Sequence, residues 1–385
     1  MGISESASIR IERVTNRKAL KTFVGLPAPL YRDDPAWVAP LMFERLNLLA
    51  KDKNPYFEHA AADYWIAYRD GEPVGRISAQ IDELAQDGHG QGTGHFGFVE
   101  APDDPTVFRA LFETAEGWLQ DRGMVRVLGP FNLSINEECG LLIDGFKDRP
   151  RIMMSHARPY YAARIEGLGY RKAKDLWAYD LDAVAEFPEN VLRIVRKAEA
   201  DQRLQVRNLR RSRMSDDFRI IRDIFNDAWS NNWGYVPLTE AEISKMRADL
   251  SLLLYEHSGK IAYWEGEPAA FMLVLPDLNE LIADLHGRLV PFGWAKLAWR
   301  VRRRRFPCVR VPLMGVRKRY QNRPSGAFMA LLLIAQHRVE WRRRHGMLRG
   351  ELSWILEDNE SMKGIADSIV GIHYKTYRIY EKALR

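Results

Sequence analysis

One pattern occurs twice in this chain. Ile66-Ala67-Tyr68-Arg69-Asp70-Gly71-Glu72-Pro73 is matched by Ile261-Ala262-Tyr263-Trp264-Glu265-Gly266-Glu267-Pro268, at an offset of 195 (261 − 66). Each copy is an apolar run, an Asp-Gly or Glu-Gly turn and a second apolar run (74–81 and 269–275), which is the signature of a β-hairpin. A second match pairs Arg122-Gly123-Met124-Val125 with His345-Gly346-Met347-Leu348, at an offset of 223 (345 − 122). In both, a helix-length run (107–120 and 328–344) stops at a glycine and an apolar strand begins. A weaker third match sets Gly169-Tyr170-Arg171-Lys172 against His373-Tyr374-Lys375. A chain that repeats hairpin, helix and late strand in one order is constrained to build one unit twice.

The difference between the offsets, 28 residues (223 − 195), is an insertion in the second half between its hairpin and its long helix. The first half carries its own insertion, over Asn132 to His156. The common unit reads as helix, helix, strand, turn, strand, strand, long helix, strand, helix, strand. In the second half the opening helices fall at 216–229 and 240–252, and the strands at 260–263, 269–275, 309–316, 348–356 and 373–380. That alternation predicts an α/β fold with mixed sheets and helices on both faces. The predicted domains are residues 1–200 and 201–385, the second carrying an insert at 277–308.

The insert is basic. Between Leu285 and Val339 there are thirteen Lys and Arg and no Asp or Glu, while the whole chain carries only +6, leaving −7 elsewhere. So local an imbalance faces something anionic. A helix over 292–303 would place Trp294, Leu297, Ala298 and Val301 on one face and Lys296, Arg300 and Arg303 on the other. This is the composition of a helix lying on an anionic membrane surface, with Trp294, Lys296, Arg300 and Arg303 as contacts. Nucleic acid is the weaker reading. Two cysteines, Cys139 and Cys308, cannot form a disulfide framework and suit a reducing compartment. The start lacks an apolar leader-type run, and Ala327–Ala335 is too short to span a bilayer. The expected location is cytoplasmic, peripheral on the inner membrane. Gly92-Thr93-Gly94-His95-Phe96-Gly97 spells a dinucleotide motif but precedes a strand rather than joining strand to helix. No motif for a metal is present, and none is expected.

This order of elements resembles the GNAT fold of acyl-CoA-dependent N-acyltransferases, here in tandem. The resemblance rests in the second half on Leu313-Met314-Gly315-Val316 followed by Arg323-Pro324-Ser325-Gly326-Ala327-Phe328, similar to the family's Q/R-x-x-G-x-G/A turn, with Phe328 in place of its last small residue. It implies that acyl-CoA is the co-substrate. Its pyrophosphate would be cradled by a turn and a helix N-terminus. Met314, Val316, Arg319, Arg323, Ser325, Gly326, Ala327 and Asn359 would form that site, the backbone N–H groups of Met314 and Val316 serving the thioester oxygen. The family's tyrosine on the following helix would fall near Ala366 and is missing. In the first half the matching position reads Glu100-Ala101-Pro102-Asp103-Asp104-Pro105, whose carboxylates would repel a pyrophosphate. The second half is therefore the expected CoA-binding half.

The longer run from Gly129-Pro130-Phe131-Asn132 to Asp144-Gly145-Phe146, followed by Pro159-Tyr160-Tyr161, resembles the YghO-like group, which includes the bacterial ceramide synthases. That resemblance implies transfer of a long-chain acyl group to the amine of a sphingoid base. Acyl transfer to an amine needs a base for the amine, donors for the oxygen and a proton for the thiolate. Glu137 and Glu138 are the candidate bases, Asn136 the group that orients the acceptor, and Tyr161 the proton donor. Glu100 and Glu357 are alternative bases, and Tyr374 and Tyr377 alternative donors. Two other readings remain: a FemX-like transferase using aminoacyl-tRNA, and a non-catalytic membrane-docking tandem module.

Overall fold

The computed structural model describes residues 8–384. They form two compact units, one of residues 8–175, 285–288 and 377–384, the other of residues 176–284 and 289–376. The strands in chain order are β1 (Arg10–Arg13), β2 (Ala60–Arg69), β3 (Glu72–Asp82), β4 (Thr93–Glu100), β5 (Arg126–Gly129), β6 (Leu141–Asp144) and β7 (Arg171–Asp182). They continue with β8 (Leu204–Asn208), β9 (Gly259–Trp264), β10 (Glu267–Pro276), β11 (Cys308–Val316), β12 (Arg349–Leu356) and β13 (Ile372–Ala383).

In the first unit β1 to β5 lie in sheet order, antiparallel as far as β4; β4 and β5 are parallel, and the end of β13 pairs antiparallel with β5 (Tyr380 opposite Gly129). The helix Pro105–Gln120 lies against β3 and buries Val107, Phe108, Leu111, Phe112, Ala115 and Leu119. On the other side Phe23, Val24, Leu48, Tyr56, Tyr64, Ile66 and Phe98 form a core with the helices Arg17–Gly25 and Met42–Leu48.

The second unit repeats the plan. Strands β8, β9, β10 and β11 run antiparallel, β11 and β12 are parallel, and the end of β7 completes the sheet antiparallel to β12 (Arg349 opposite Asp182). The helix Met214–Trp229 buries Phe218, Ile221, Ile224 and Phe225 in a core with Ile243, Ile261 and Phe271. The long helix Pro324–His345 ends at Gly346, whose left-handed φ of 67° closes it. Both repeated hairpins form, with Asp70-Gly71 and Glu265-Gly266 in their turns at positive φ. The third match is β7 with β13: each closes the sheet of the unit that the other half of the sequence begins.

The basic insert folds as helix Leu278–Ile282, a short 3-10 turn and helix Gly293–Arg303. Its facing differs from the amphipathic expectation. Leu297, Arg300 and Val301 are half-buried, whereas Phe292, Trp294 and Trp299 are 78%, 61% and 52% exposed. Lys296 and Arg300 both bind Asp284, Arg300 through two N–H···O contacts of 2.6 and 2.9 Å, and Arg300 also donates to the Leu281 carbonyl at 2.6 Å. Those bonds, to Arg300 first and Lys296 second, hold the Asp284 carboxyl well below its usual range. Two of the four predicted membrane contacts are thus committed within the chain, because the acid that binds them is the residue just before the acid-free stretch. Arg303 lies over the Trp299 ring, its guanidinium carbon 3.8 Å from the centroid.

Among the described residues no helix is long and apolar enough to cross a membrane, and no group of three or more His, Cys, Asp or Glu is placed to hold a metal ion.

Candidate active site

In the second unit the parallel pairing of β11 with β12 runs from Cys308–Arg349 to Val311–Leu352 and stops there. β11 continues on β10 as far as Val316, and β12 continues on β7 as far as Leu356, so the two strands part into a slot. The hydrogen-bond pattern says what faces it. The Arg317 N–H donates to the Ala269 carbonyl at 2.8 Å, so the Val316–Ala270 pair is of the non-hydrogen-bonded kind, and Met314–Met272 with it. The N–H groups of Met314 and Val316 therefore point away from β10, toward the slot. The carbonyls of the same two residues accept there from Trp229 Nε1 (3.1 Å) and Gln321 Nε2 (2.8 Å). Trp229 also meets the Trp354 ring edge-on, with centroids 5.6 Å apart.

Beyond β11 the chain turns through Lys318–Tyr320 into the long helix. The turn is tied down by the Lys318 N–H to Asp227 (2.9 Å), Lys318 Nζ to Asn231 (2.7 Å) and the Gln321 amide to the Ala228 carbonyl (3.1 Å). The helix begins at Arg323 with no side-chain cap, proline in its first turn and no acid there. Pro324 brings no N–H to the first turn, the Gly326 and Ala327 N–H groups bond the Arg323 carbonyl at 3.0 and 3.3 Å, and Arg319, Arg323 and Ala327 at the helix start are exposed. Gly326 is required: a β-carbon there would lie 2.4 Å from the Tyr320 carbonyl oxygen. This uncapped, cationic helix start is suited to an anion. Asn359 opens the next helix. Its side chain caps the helix Glu360–Ser368, accepting from the Met362 N–H at 3.1 Å. Ala366 is fully buried. Tyr374 donates to the buried Glu351, which also accepts from Ser353; Ser353 accepts from Arg310 Nε at 2.7 Å.

The first unit departs from this at the same points. β4 and β5 part after His95–Leu128, but the chain itself fills the gap. The Phe131 N–H bonds the Phe96 carbonyl at 2.8 Å, and the Asn132 side-chain oxygen accepts from the Phe98 N–H at 2.7 Å. Gly97 is needed because a β-carbon there would be 1.8 Å from the Phe131 carbonyl oxygen. Asp104 caps the helix Pro105–Gln120 through the Thr106 N–H (2.7 Å) and pairs with Arg69, while Asp103 pairs with Arg164 at 2.7 Å. An anion's place at that helix start is taken by a side chain.

What the first unit has instead is a polar cavity of about 40 Å³ lined by Arg76, Glu100, Asn132, Glu138, Ser155, His156 and Tyr161 among apolar residues. Glu138 is bound by Arg45 and by Asn132 Nδ2 (3.0 Å). Tyr161 donates to Glu100 at 2.7 Å. Burial raises the Glu100 carboxyl above its ordinary value despite Arg76 and the Tyr161 bond, and burial and Glu100 together hold the Tyr161 proton on. Of the sequence-predicted catalytic residues the cavity gathers Glu138 and Tyr161; Glu137 and Asn136 do not line it. Arg45 and Arg76 were not foreseen, being remote in sequence from the carboxylates they meet. The remaining alternatives, Glu357 and Tyr377, are also not among its lining residues.

No family model matches the chain. Solved structures show the fold. A tandem GNAT protein from the clavulanic acid biosynthesis pathway aligns with a TM-score of 0.58 over 98% of this chain and 99% of its own at 11% identity. A GCN5-related N-acetyltransferase from Sphaerobacter thermophilus aligns at 0.53 over 98% and 96% at 15% identity. The fold is that of tandem GNAT proteins. The chain is 43% identical over 382 residues to a bacterial ceramide synthase of Caulobacter vibrioides (strain NA1000 / CB15N), covering 99% of each. It is 44% identical over 370 residues to the protein YghO of Escherichia coli (strain K12), covering 96% of this chain and 94% of that one. It belongs to the family of these two proteins.

Proposed function

We propose that this protein is an acyl-CoA-dependent N-acyltransferase that moves a long-chain acyl group onto the amine of a sphingoid base. The observation that carries the proposal is the slot of the second unit, with two backbone N–H groups facing it and an uncapped basic helix start at its end. The amine nitrogen attacks the thioester carbonyl, and the C–S bond breaks as the C–N bond forms. The charge that gathers on the oxygen meets the N–H groups of Met314 and Val316, donors that need no reorganisation. The pyrophosphate is held at the helix start around Ser325, Gly326 and Ala327, by the Ser325 N–H and the cations Arg319 and Arg323, while Asn359 acts by anchoring the next helix. Glu137, Glu138, Asn136 and Tyr161 are the proposed groups for the amine, with Glu138 and Tyr161 foremost because they line a polar cavity. The 43% relative named a ceramide synthase supports the choice of a sphingoid acceptor.

Both substrates have long chains and partition into bilayers, which supports a peripheral site of action on an anionic inner membrane surface. Phe292, Trp294, Trp299 and Arg303 make that contact, with Lys296 and Arg300 orienting the helix from within. The direct test is release of free CoA by purified protein given long-chain acyl-CoA and a sphingoid base. Absence of release, together with no shift of melting temperature on adding CoA, would sink the proposal.

A further inference from the structure

We propose that Gly287 is a positioning residue for Glu138. The turn Leu285–Arg288 clamps the helix whose Arg45 holds Glu138, so a restraint on the basic insert reaches that carboxylate. The role given to Glu138 rests on the acyltransfer reading, whereas the clamp rests on geometry alone. Residues 285–288 belong to the first unit, together with Met42, Arg45 and Glu138, although the insert on either side of them belongs to the second.

The Arg288 N–H donates to the Leu285 carbonyl at 2.9 Å and closes the turn. Its central residues His286 and Gly287 have φ of 47° and 74°, the left-handed pair of a type I′ turn. Glycine is needed at the second of them, because a β-carbon there would lie 2.7 Å from the Pro40 carbonyl oxygen. The Gly287 carbonyl accepts from the Met42 N–H at 3.1 Å. Met42 begins the seven-residue helix Met42–Leu48, whose N-cap Leu41 makes no side-chain capping bond. The first N–H groups of a helix have no intrahelical partner, and so short a helix is marginal by itself. The cap that the local sequence omits comes from 245 positions further on (287 − 42).

Arg45 on this helix binds one oxygen of Glu138, and both side chains are only 16% exposed. Asn132 Nδ2 donates to the other oxygen at 3.0 Å and is itself fixed by the Phe98 N–H at 2.7 Å. A shift of the short helix therefore pulls on one side of a carboxylate that is pinned on the other. The turn in its place depends on the insert. Asp284, just before it, binds Lys296 and Arg300, and the Leu289 carbonyl, just after it, accepts from the Trp294 N–H at 2.9 Å. Both ends of the turn are thus tied to the helix Gly293–Arg303, which carries the exposed Trp294 and Trp299. A surface that restrains that helix restrains the turn, leaving less entropy to be lost when Gly287 docks.

The test is hydrogen exchange of the full-length protein, read on peptides covering Met42–Leu48 with and without phosphatidylglycerol vesicles, beside steady-state kinetics. Gly287→Ala should speed exchange there about tenfold through loss of the cap. It should lower kcat about tenfold through misplacement of Glu138, with the KM for acyl-CoA and the CoA-induced melting shift unchanged. Arg45→Met should lower kcat to the same extent, and adding Gly287→Ala to it should lower kcat no further, because both act on one carboxylate. Should Gly287→Ala not fold, His286→Val is read in its place, since a β-branched residue is disfavoured at positive φ and His286 is exposed. Vesicles should slow exchange in the parent about threefold and leave the turn variant unaffected. Unchanged exchange in the turn variants, independent losses of kcat in the double variant, or no slowing in a parent that sediments with the vesicles each overturns the proposal. No release of CoA by the parent would count against the acyltransfer reading instead, and no sedimentation against the membrane contact; exchange in the turn variants decides the clamp in either case.

Discussion

Gly326→Ala sets two physical effects against each other at the helix start. Helix propensity alone favours alanine over glycine by about 1 kcal/mol. The contact works the other way: the new β-carbon would sit 2.4 Å from the Tyr320 carbonyl oxygen and 3.2 Å from its carbon. That oxygen belongs to the backbone of the turn, so the turn itself must move by most of an ångström, at a cost of about 1–3 kcal/mol for an overpacked site. In the free protein the turn relaxes and the strain is hidden. A CoA pyrophosphate needs the turn in its original place, so the strain returns as lost affinity, about 5- to 150-fold at 1.4 kcal/mol per factor of ten. Gly364 is the control. It lies in the helix Glu360–Ser368 with nothing within 4 Å of an added β-carbon. Gly364→Ala should therefore raise the melting temperature by about 1–4 °C and leave CoA affinity alone. Titration of both variants with CoA, beside their melting curves, reads the two effects separately. Undiminished CoA affinity in Gly326→Ala would refute the placement of the anion at this turn.

Three further outcomes are expected. Replacing Phe292, Trp294 and Trp299 together by alanine should weaken sedimentation with anionic vesicles at least tenfold, since each partly inserted aromatic contributes about 1–2 kcal/mol; Lys296→Ala should change it less than twofold because Asp284 already holds that charge, and equal losses would show that the charge, not the rings, makes the contact. Trp229→Phe strips the Met314 carbonyl of its donor beside the proposed oxygen site, at about 1 kcal/mol, so kcat should fall several-fold while the melting temperature moves by only a few degrees. Burial holds His337 neutral down to about 3 and His257 to about 4, both below the ordinary 6.5. The unfolded chain takes up those protons first, so stability is complete above about pH 6.5 and falls as pH drops toward those values. Glu340, kept near 2 chiefly by Lys260 against the effect of burial, adds its loss only below about 4.5. Melting between pH 6.5 and 5 should thus isolate the histidines, with a shallower slope in His337→Gln; an unchanged slope would remove that residue from the account.

The hairpins were legible because a strand pair joined by a two-residue turn is encoded locally: Asp70-Gly71 and Glu265-Gly266 fix the register themselves. The long helix was legible for a similar reason, ending at Gly346 where a left-handed residue was needed. The fate of β7 and β13 was not. A strand's own residues encode which faces are buried, and both were foreseen as strands, but the sheet edge each joins depends on the whole chain. At the site, the segment from Met314 to Ala327 could be located from its turn and helix start. The facing of the Met314 and Val316 N–H groups could not, since it follows from the parity of pairing with β10. The insert was misjudged in its facing because Asp284 stands just outside the stretch that drew attention. Arg76 and Glu100 lie 24 positions apart (100 − 76) on neighbouring strands, and only the β3–β4 register brings them opposite each other.

That register also explains why the two halves need not do the same work. Arg76 stands opposite Glu100 in the first unit, and Phe271 opposite Gly315 in the second; 76 and 271 differ by the 195 of the hairpin repeat (271 − 76). The same two places in the sheet hold a charged pair in one copy and a ring over a glycine in the other. Apolar packing at such a place costs nothing in desolvation, whereas a buried arginine and carboxylate carry a penalty that their mutual attraction offsets only with good geometry and full hydrogen bonding. Here the separation is 3.7 Å, and the Arg76 Nε has no acceptor. As pure structure the pair is a poor substitute for Phe271 and Gly315. It stands beside a cavity in the copy whose helix start is capped by Asp104 and whose strand gap is filled by Phe131 and Asn132, so the two copies differ at the sheet, the gap and the helix start together. The copy that kept its slot and its bare helix start is the one to which the proposal assigns the anion.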